Sequence, residues 1–170
     1  MYGRNSMDNK YYILYNPHAG NGMSEATATG LKNSGKYEPS AVVSMTDIKS
    51  YADFFAGKDD VSVILCGGDG TLNRFLNEIG DIKLGSVYYM ASGSGNDFLR
   101  DLDISTQTEP ICIDKYIENI PVCEVNGKEY KVLNGVGYGI DGYCCMMGDA
   151  MKEQKIEKID YTAIAIGGLL

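Results

Sequence analysis

The stretch VSVILCGGDGTLN at residues 61–73 gives the clearest indication of the fold, because an apolar run leads there directly into a glycine-rich turn. Its first six residues are nearly all apolar, which is typical of a strand buried on both faces of a parallel sheet. Apolar side chains then recur at helical spacing at positions 72, 75, 76 and 79. A buried strand, a glycine-rich turn and an amphipathic helix in this order predict one unit of an α/β fold.

The same alternation of strand and helix occurs on both sides of this stretch. Short apolar runs at residues 11–15 and 84–90 also lead into glycine-rich turns. Such alternation favours parallel pairing with right-handed crossovers, so we predict an open parallel sheet flanked by helices. The predicted strands are residues 11–15, 37–44, 61–66 and 84–90, and the predicted helices are residues 23–33, 48–56, 71–79 and 96–102.

The pattern changes after residue 108, where strand-like runs at residues 111–113, 122–125 and 130–134 are joined by turns. Asn126-Gly127 is typical of a two-residue hairpin turn, so this part indicates the start of an antiparallel β domain that is incomplete. The apolar stretch at residues 159–170 predicts a helix with nothing left to pack on. We therefore divide the chain into a leader or disordered segment (1–10), an α/β domain (11–108) and the beginning of a β-rich domain (109–170).

Composition and charge exclude several classes of protein. A net charge of −8 argues against a nucleic-acid-binding protein, which needs a basic face, and against tight adhesion to anionic membranes, although brief contact is compatible with it. The five cysteines form no C-x-x-C pair, so we expect reduced thiols in a cytosolic protein. Residues 1–10 do not resemble a signal peptide, and the apolar residues 161–170 are too few to span a bilayer.

The turn Gly67-Gly68-Asp69-Gly70 carries the clearest chemical signal. Paired glycines after a strand let the backbone approach a ligand closely, and the N–H groups that open the following helix attract an anion. A carboxylate at Asp69 repels phosphate unless a cation lies between them, and Mg²⁺ supplies that need. The alternative is a tight strand-to-helix turn in which Asp69 caps the helix.

Two other turns carry weaker signals. Residues 16–22 and residues 92–97 are each compatible with an ordinary surface turn, and Asn96 is placed to cap the helix that follows the second of them. Because the carboxyl ends of parallel strands meet at one edge of the sheet, all three turns together predict a polyphosphate site. His18, the single histidine, is interpreted as a solvated loop residue.

Two further glycine patterns are set aside. Residues 30–37 spell most of a P-loop but follow a helix and lack the final Ser or Thr. Gly137-x-Gly139-x-x-Gly142 lacks the βαβ unit of a dinucleotide fingerprint, so close backbone packing explains it better.

The three turns together resemble the diacylglycerol kinase catalytic family, which includes sphingosine kinases and bacterial lipid kinases and is distantly similar to NAD kinases. The resemblance rests on Asn16-Pro17-x-Ala19-Gly20, on the motif at residues 67–73 and on Gly93-Ser94-Gly95-Asn96-Asp97-Phe98. It extends into residues 134–142, which are similar to the family's Asn…Gly-x-Asp segment. The Gly-Gly-Asp-Gly-Thr core at residues 67–71 is shared with NAD kinases, whereas Gly-Asn-Asp-Phe at residues 95–98 points to lipid kinases.

The resemblance implies ATP and Mg²⁺ as cofactors, with Asp69 as the catalytic residue that organises the metal and the attacking hydroxyl. Ser94 stands where the family usually has threonine, so the hydroxyl is kept. The family's acidic general base matches no residue of this sequence, so nucleotide binding without catalysis is one of the functions that the resemblance leaves open for these 170 residues. The implied ATP contacts are Asn16, Pro17, Gly20, Thr46, Gly67, Gly68, Asp69, Gly70, Thr71, Asn73 and Ser94.

The resemblance also implies the function: transfer of the ATP γ-phosphate to the hydroxyl of a lipid such as diacylglycerol, in phospholipid biosynthesis. It implies a cytoplasmic protein, peripheral at the inner membrane face, whose residues 109–170 begin a lipid-binding domain. Two alternatives stay open, an NAD kinase-like phosphotransferase and a nucleotide-binding module without catalysis. An uncovered sheet edge also leaves a homodimer open.

Overall fold

A computed structural model describes residues 10–58, 60–93, 95–137, 139–154, 156 and 160–168. The chain divides into two compact units between Asn134 and Gly135. The first unit contains a five-stranded sheet and a separate two-stranded ribbon. The predicted α/β class, a parallel sheet flanked by helices, is confirmed.

The five-stranded sheet has the order β2-β1-β3-β4-β5. The strands β1 to β4 pair in parallel, and β5 is antiparallel to β4. Because the chain passes from β1 to β2 on one side and returns to β3 on the other, the strand order reverses between β1 and β3. The strands are β1 (Tyr11–Tyr15), β2 (Pro39–Ser44), β3 (Ser62–Gly67), β4 (Val87–Ala91) and β5 (Ile111–Cys112).

Helices connect these strands at the predicted places. Helix α3 (Asp69–Glu78) begins directly after β3, and its apolar side chains Leu72 and Phe75 are fully buried. Burial of each such side chain contributes about 1.5–3 kcal/mol to folding. The helices of the first unit are α1 (Met23–Asn33), α2 (Tyr51–Phe55), α3 (Asp69–Glu78), α4 (Asp97–Asp101) and α5 (Asp114–Ile117), with 3₁₀ turns at Ala19–Gly22 and Met45–Asp47.

The core lies on both faces of the sheet because successive residues of the central strands point to opposite sides. Ile13 and Ile64 pack on the face that α1 covers through Ala28 and Leu31. Leu14 and Leu65 lie on the other face, in the larger cluster that includes side chains of α2, α3 and α4. All six residues of β3 are buried, as expected for the central strand of a parallel sheet.

The outer edge of β4 is covered by Gln107, at the end of the predicted α/β domain, and by β5 and Asp114, which the sequence prediction gave to a second domain. The Gln107 side chain accepts a hydrogen bond from the Ala91 N–H (2.8 Å) and donates one to the Tyr89 carbonyl (2.6 Å). Strand β5 then pairs with β4, and the Asp114 carboxylate accepts from the Val87 N–H at 2.7 Å. The compact unit therefore continues to Asn134, past the boundary predicted at residue 108.

The ribbon consists of β6 (Val122–Val125) and β7 (Lys128–Lys131), which pair antiparallel. Asn126 and Gly127 have φ of +53° and +75°, as a type I′ turn requires, so the predicted hairpin turn is confirmed. The second strand begins at Lys128, two residues earlier than predicted, because a two-residue turn places it directly after Gly127.

The second unit contains α6 (Ile140–Glu153) and α7 (Tyr161–Gly167). The two helices pack through glycines, since a Cβ added at Gly148 or at Gly168 would lie 2.7 Å from the ring of Tyr161 or Tyr143. The prediction of a final helix without a packing partner was therefore wrong: α7 packs on α6, although Ile159, Leu169 and Leu170 lie outside the described residues. The described residues from 135 to 168 contain helices and no strand, and a β-rich second domain stays a prediction.

In the described part of the chain, no helix is both long and apolar enough to cross a bilayer.

Gly137 and Gly142, two glycines of the pattern Gly137-x-Gly139-x-x-Gly142, approach each other closely. A Cβ added at either position would meet backbone atoms at 3.3 Å, which agrees with the interpretation that close backbone packing explains this pattern.

Candidate functional site

Three loops follow β1, β3 and β4 and lie at the same edge of the sheet, where the strand order reverses. We call them the first loop (residues 16–22), the second loop (residues 67–71) and the third loop (residues 92–96). In open α/β sheets the crevice beside such a reversal is the usual place for a ligand.

The first and second loops are joined by Asn16 and Thr71. The Asn16 side-chain N–H donates to the Thr71 hydroxyl at 2.9 Å, and Thr71 is only 5% exposed. The Asn16 side-chain oxygen accepts from the His18 N–H at 3.0 Å, which fixes the turn that begins the first loop. Both the N–H and the oxygen of the Asn16 amide are therefore used in hydrogen bonds that hold the loops in place.

The first and third loops meet at Ser92. The hydroxyls of Ser24 and Ser92 share a hydrogen bond of 2.5 Å, and Ser24 is fully buried at the start of α1. Gly20 has a φ of +57°, and a Cβ placed there would lie 1.7 Å from the Ser92 carbonyl oxygen. Only glycine permits both this conformation and this close approach. Sequence reasoning missed Ser24, because nothing in a polar helix start indicates a buried hydroxyl.

The second and third loops touch at Gly68 and Gly93. A Cβ on Gly93 would lie 2.7 Å from the Gly68 Cα, so the two backbones pass without room for side chains. The Gly67 carbonyl accepts from the Ser92 N–H at 2.8 Å and from the buried Tyr89 hydroxyl at 3.1 Å. Burial, with the nearby charge of Asp69 as a smaller cause, raises the pKa of Tyr89, which therefore stays a neutral donor.

Asp69 caps the helix that follows the third loop. Its two carboxylate oxygens accept hydrogen bonds from the N–H groups of Asp97 (3.0 Å) and Phe98 (3.1 Å). Asn96 was predicted to cap this helix, and that prediction was wrong. Asn96 has a φ of +54° and makes no side-chain cap bond, because Asp69 already occupies the position in front of the free N–H groups. In the predicted alternative Asp69 caps its own helix, α3. In the structure Asp69 instead caps α4, the helix that follows the third loop.

Asp97 brings a second carboxylate to the same place. A Cβ added at Gly95 would lie 3.5 Å from a carboxylate oxygen of Asp69 and 3.6 Å from one of Asp97. Arg100, which the sequence reasoning missed, donates to the Asp97 carboxylate at 2.7 Å in an exposed ion pair. The sequence feature that could have indicated this ion pair is the three-residue spacing of opposite charges on a helix.

The donor set at this point suits Mg²⁺. Carboxylate oxygens are hard ligands of the kind that Mg²⁺ prefers, and each oxygen keeps a lone pair after accepting one N–H bond. Among the described residues, no group of three or more His, Cys, Asp or Glu side chains is arranged to hold a metal ion. A cation held by Asp69 and Asp97 would therefore need further oxygen ligands, such as those of phosphate or water.

The remaining predicted contacts are distributed unevenly around the three loops. Pro17 is half-buried in the first loop, and Gly70 lies in the first turn of α3 with open space around its Cα. Thr46 is exposed beyond the end of β2, and its hydroxyl shares a 2.7 Å hydrogen bond with that of Ser44. The Asn73 side-chain oxygen bonds outside the three loops, because it accepts a hydrogen bond from the Leu133 N–H at 3.0 Å. Ser94 lies outside the described residues.

A groove of about 640 Å³ lies elsewhere, between α2 and the last turns of α3, and is lined by residues that include Tyr51, Arg74 and Glu78. It contains no residue of the three loops, so it is not part of the candidate site.

The family model of the diacylglycerol kinase catalytic domain matches residues 10–125, a range that includes β1 to β6 and all three loops. The match covers well over half of the 170 residues, and the chain belongs to this family of kinases. No curated protein and no solved structure matches the chain.

Proposed function

We propose that this chain is the nucleotide-binding part of an ATP-dependent lipid kinase. The observation that carries the proposal is the interlocking of three glycine-rich loops at the reversal of strand order, which forms one cradle from three separate strand ends. The acceptor is the hydroxyl of a lipid such as diacylglycerol, an inference from family membership.

Backbone N–H groups supply most of the phosphate binding. The first N–H groups of α3 have no partner within the helix and carry the positive end of its dipole toward the second loop. Gly67, Gly68 and Gly70 let a phosphate approach this backbone closely. The residues proposed to surround ATP are Asn16, Pro17, Gly20, Thr46, Gly67, Gly68, Asp69, Gly70, Thr71 and Ser94, with Asn73 acting from behind the second loop.

Asn16 and Thr71 act mainly by holding the first and second loops together, because the Asn16 amide is already hydrogen-bonded on both sides. Asp69 holds the third loop through the N–H groups of α4 and, with Asp97, offers oxygens toward a cation. When bound, ATP supplies the phosphoryl group and Mg²⁺ offsets the charge on its oxygens. The role of Asp69 in orienting the acceptor hydroxyl belongs to the same proposal.

The cellular setting follows from the proposed acceptor. A lipid substrate requires contact with a membrane, and a net charge of −8 favours brief contact over electrostatic adhesion. We propose a cytoplasmic protein that works at the inner membrane face in phospholipid metabolism.

The test combines binding and transfer. Purified protein is heated with and without MgATP, and labelled ATP is then offered with diacylglycerol micelles or with NAD. We expect MgATP to raise the unfolding temperature, Asp69→Ala to abolish that rise, and label to appear in the lipid. Label in NAD would support the NAD kinase-like alternative, and an unchanged response of Asp69→Ala would refute the role of Asp69.

A second candidate, nucleotide binding without catalysis, is favoured by one observation. Both carboxylate oxygens of Asp69 are engaged by backbone N–H groups, which is a structural use of this residue. Protection from unfolding by MgATP without transfer to either acceptor would support this candidate.

A further inference from the structure

The side chain of Asn77 binds the backbone of the ribbon as a neighbouring strand would. Its Nδ2 donates to the Lys131 carbonyl at 2.9 Å, and its Oδ1 accepts from the Lys131 N–H at 2.8 Å. A carboxamide carries the same donor and acceptor as a peptide group, so this pair reproduces one rung of a β ladder.

Asn73 continues the ladder one helical turn earlier. Its Oδ1 accepts from the Leu133 N–H at 3.0 Å, and the Asn77 Nδ2 also donates to the Asn73 carbonyl at 2.9 Å. The spacing matches on both sides. Residues i and i+4 of a helix are roughly 6 Å apart along the axis, and residues i and i+2 of an extended chain are roughly 6.6 Å apart.

The backbone between these two rungs faces the other way. The Val132 N–H donates to the Pro121 carbonyl at 2.8 Å, which extends the ribbon by one more pair. Residues 131–133 are therefore bonded to α3 on one side and to the ribbon on the other.

We propose that Asn73 and Asn77 are positioning residues that pin residues 131–133 to α3 and thereby hold α3, with the second loop at its start, in place. Asn73 lies two residues after Thr71, so the ladder begins directly behind the second loop. Asn73, expected from the family resemblance to contact ATP, acts through Leu133. The expected effect of these two residues on MgATP binding rests on the proposed function, whereas the ladder of hydrogen bonds does not.

Amide hydrogen exchange in the full chain tests the ladder. Loss of one hydrogen bond is worth about 1 kcal/mol, so Asn73→Leu should speed exchange at Leu133, and Asn77→Ala exchange at Lys131, each by about fivefold to tenfold. Asn73→Asp keeps an oxygen acceptor and should leave Leu133 protected, which preserves the test if Asn73→Leu does not fold. Glu78→Gln, an exposed change on the same helix, should leave both amides unchanged.

Binding of MgATP tests the positioning role. Asn77 lies eight residues after Asp69, or roughly 12 Å along the helix. A change in MgATP binding on substitution of Asn77 therefore cannot come from direct contact with phosphates bound at the second loop. We expect Asn77→Ala to weaken MgATP binding at least threefold, and the double variant Asn73→Leu/Asn77→Ala to lose less than the product of the two single losses.

Two results would overturn the inference: unchanged exchange at Lys131 and Leu133, or faster exchange together with unaltered MgATP affinity. Failure of the unaltered chain to bind MgATP would overturn the proposed function instead, and the exchange rates would still decide whether the ladder exists.

Discussion

Asn16 and Thr71 are 55 residues apart in the chain, yet the amide of the first donates to the hydroxyl of the second at 2.9 Å. The bond crosses from the end of β1 to the start of α3, at the point where the strand order reverses. It therefore fixes the distance between two loops before any ligand arrives. A preorganised cradle of this kind loses less entropy on binding than one assembled by the ligand.

Removal of the Thr71 hydroxyl should loosen this contact. In Thr71→Val the shape is kept but the half-buried Asn16 amide loses its acceptor, so the free energy of unfolding should fall by about 1–2 kcal/mol. Thr71→Ser keeps the hydroxyl and serves as the matched control, with a smaller loss. Urea unfolding measures both, and a larger loss in Thr71→Ser than in Thr71→Val would show that the methyl group, not the hydrogen bond, stabilises this turn.

A methyl group between the second and third loops should separate them. In Gly93→Ala the new Cβ would lie 2.7 Å from the Gly68 Cα, and backbone cannot move aside as a side chain can. We expect a loss of about 1–3 kcal/mol in unfolding free energy and a lower unfolding temperature. Gly70→Ala is the control, because nothing lies within 4 Å of its added Cβ and alanine favours a helix. Similar stability of the two variants would contradict the close approach.

The cap that Asp69 provides should be measurable without nucleotide. Asp69→Ala leaves the N–H groups of Asp97 and Phe98 without this acceptor, which should cost about 1–3 kcal/mol. Asp69→Asn keeps one oxygen and should cost less. Asp101→Ala at the exposed end of α4 removes a carboxylate from the same helix and should cost little. Thermal unfolding without ATP makes the comparison, and an unaffected Asp69→Ala would mean that the cap does not stabilise α4.

Alkaline pH should destabilise the fold partly through Cys66. Burial raises the pKa of this thiol from 9.0 to about 12, so the folded state holds a proton that the unfolded chain releases. The resulting stability is fully present below pH 9 and is lost as pH rises toward 12, at a slope of up to about 1.4 kcal/mol per pH unit.

The difference in unfolding free energy between pH 8 and about pH 10 gives the measurement. Cys66→Ala should show a shallower decline than the unaltered chain, whatever its absolute stability, because one thiol no longer titrates. Tyr51, whose pKa burial raises from 10.0 to about 12, contributes mainly above this interval and does so equally in both proteins. Identical slopes in both proteins would show that Cys66 ionises as readily in the fold as outside it.

Much of the fold could be predicted because local patterns report local burial. The apolar run before Gly67 predicted the central strand, and the Asn126-Gly127 pair predicted the hairpin turn with its positive φ angles. The three loops were found for the same reason, since glycine-rich turns directly follow apolar runs. The contacts between loops could not be found in this way.

Local sequence patterns were enough to locate the strands to within a few residues, to find the turns that end them, and to predict that these turns gather at one edge of a parallel sheet. Three features could be seen only once the fold was known: Asp69 caps α4, Ser24 bonds to Ser92, and Asn73 and Asn77 bind residues 131 and 133 beside the ribbon. Periodicity records whether a side chain faces the core or water. The partner of a hydrogen bond between residues 28 to 68 positions apart is selected by how helices and loops pack, and no local spacing encodes it.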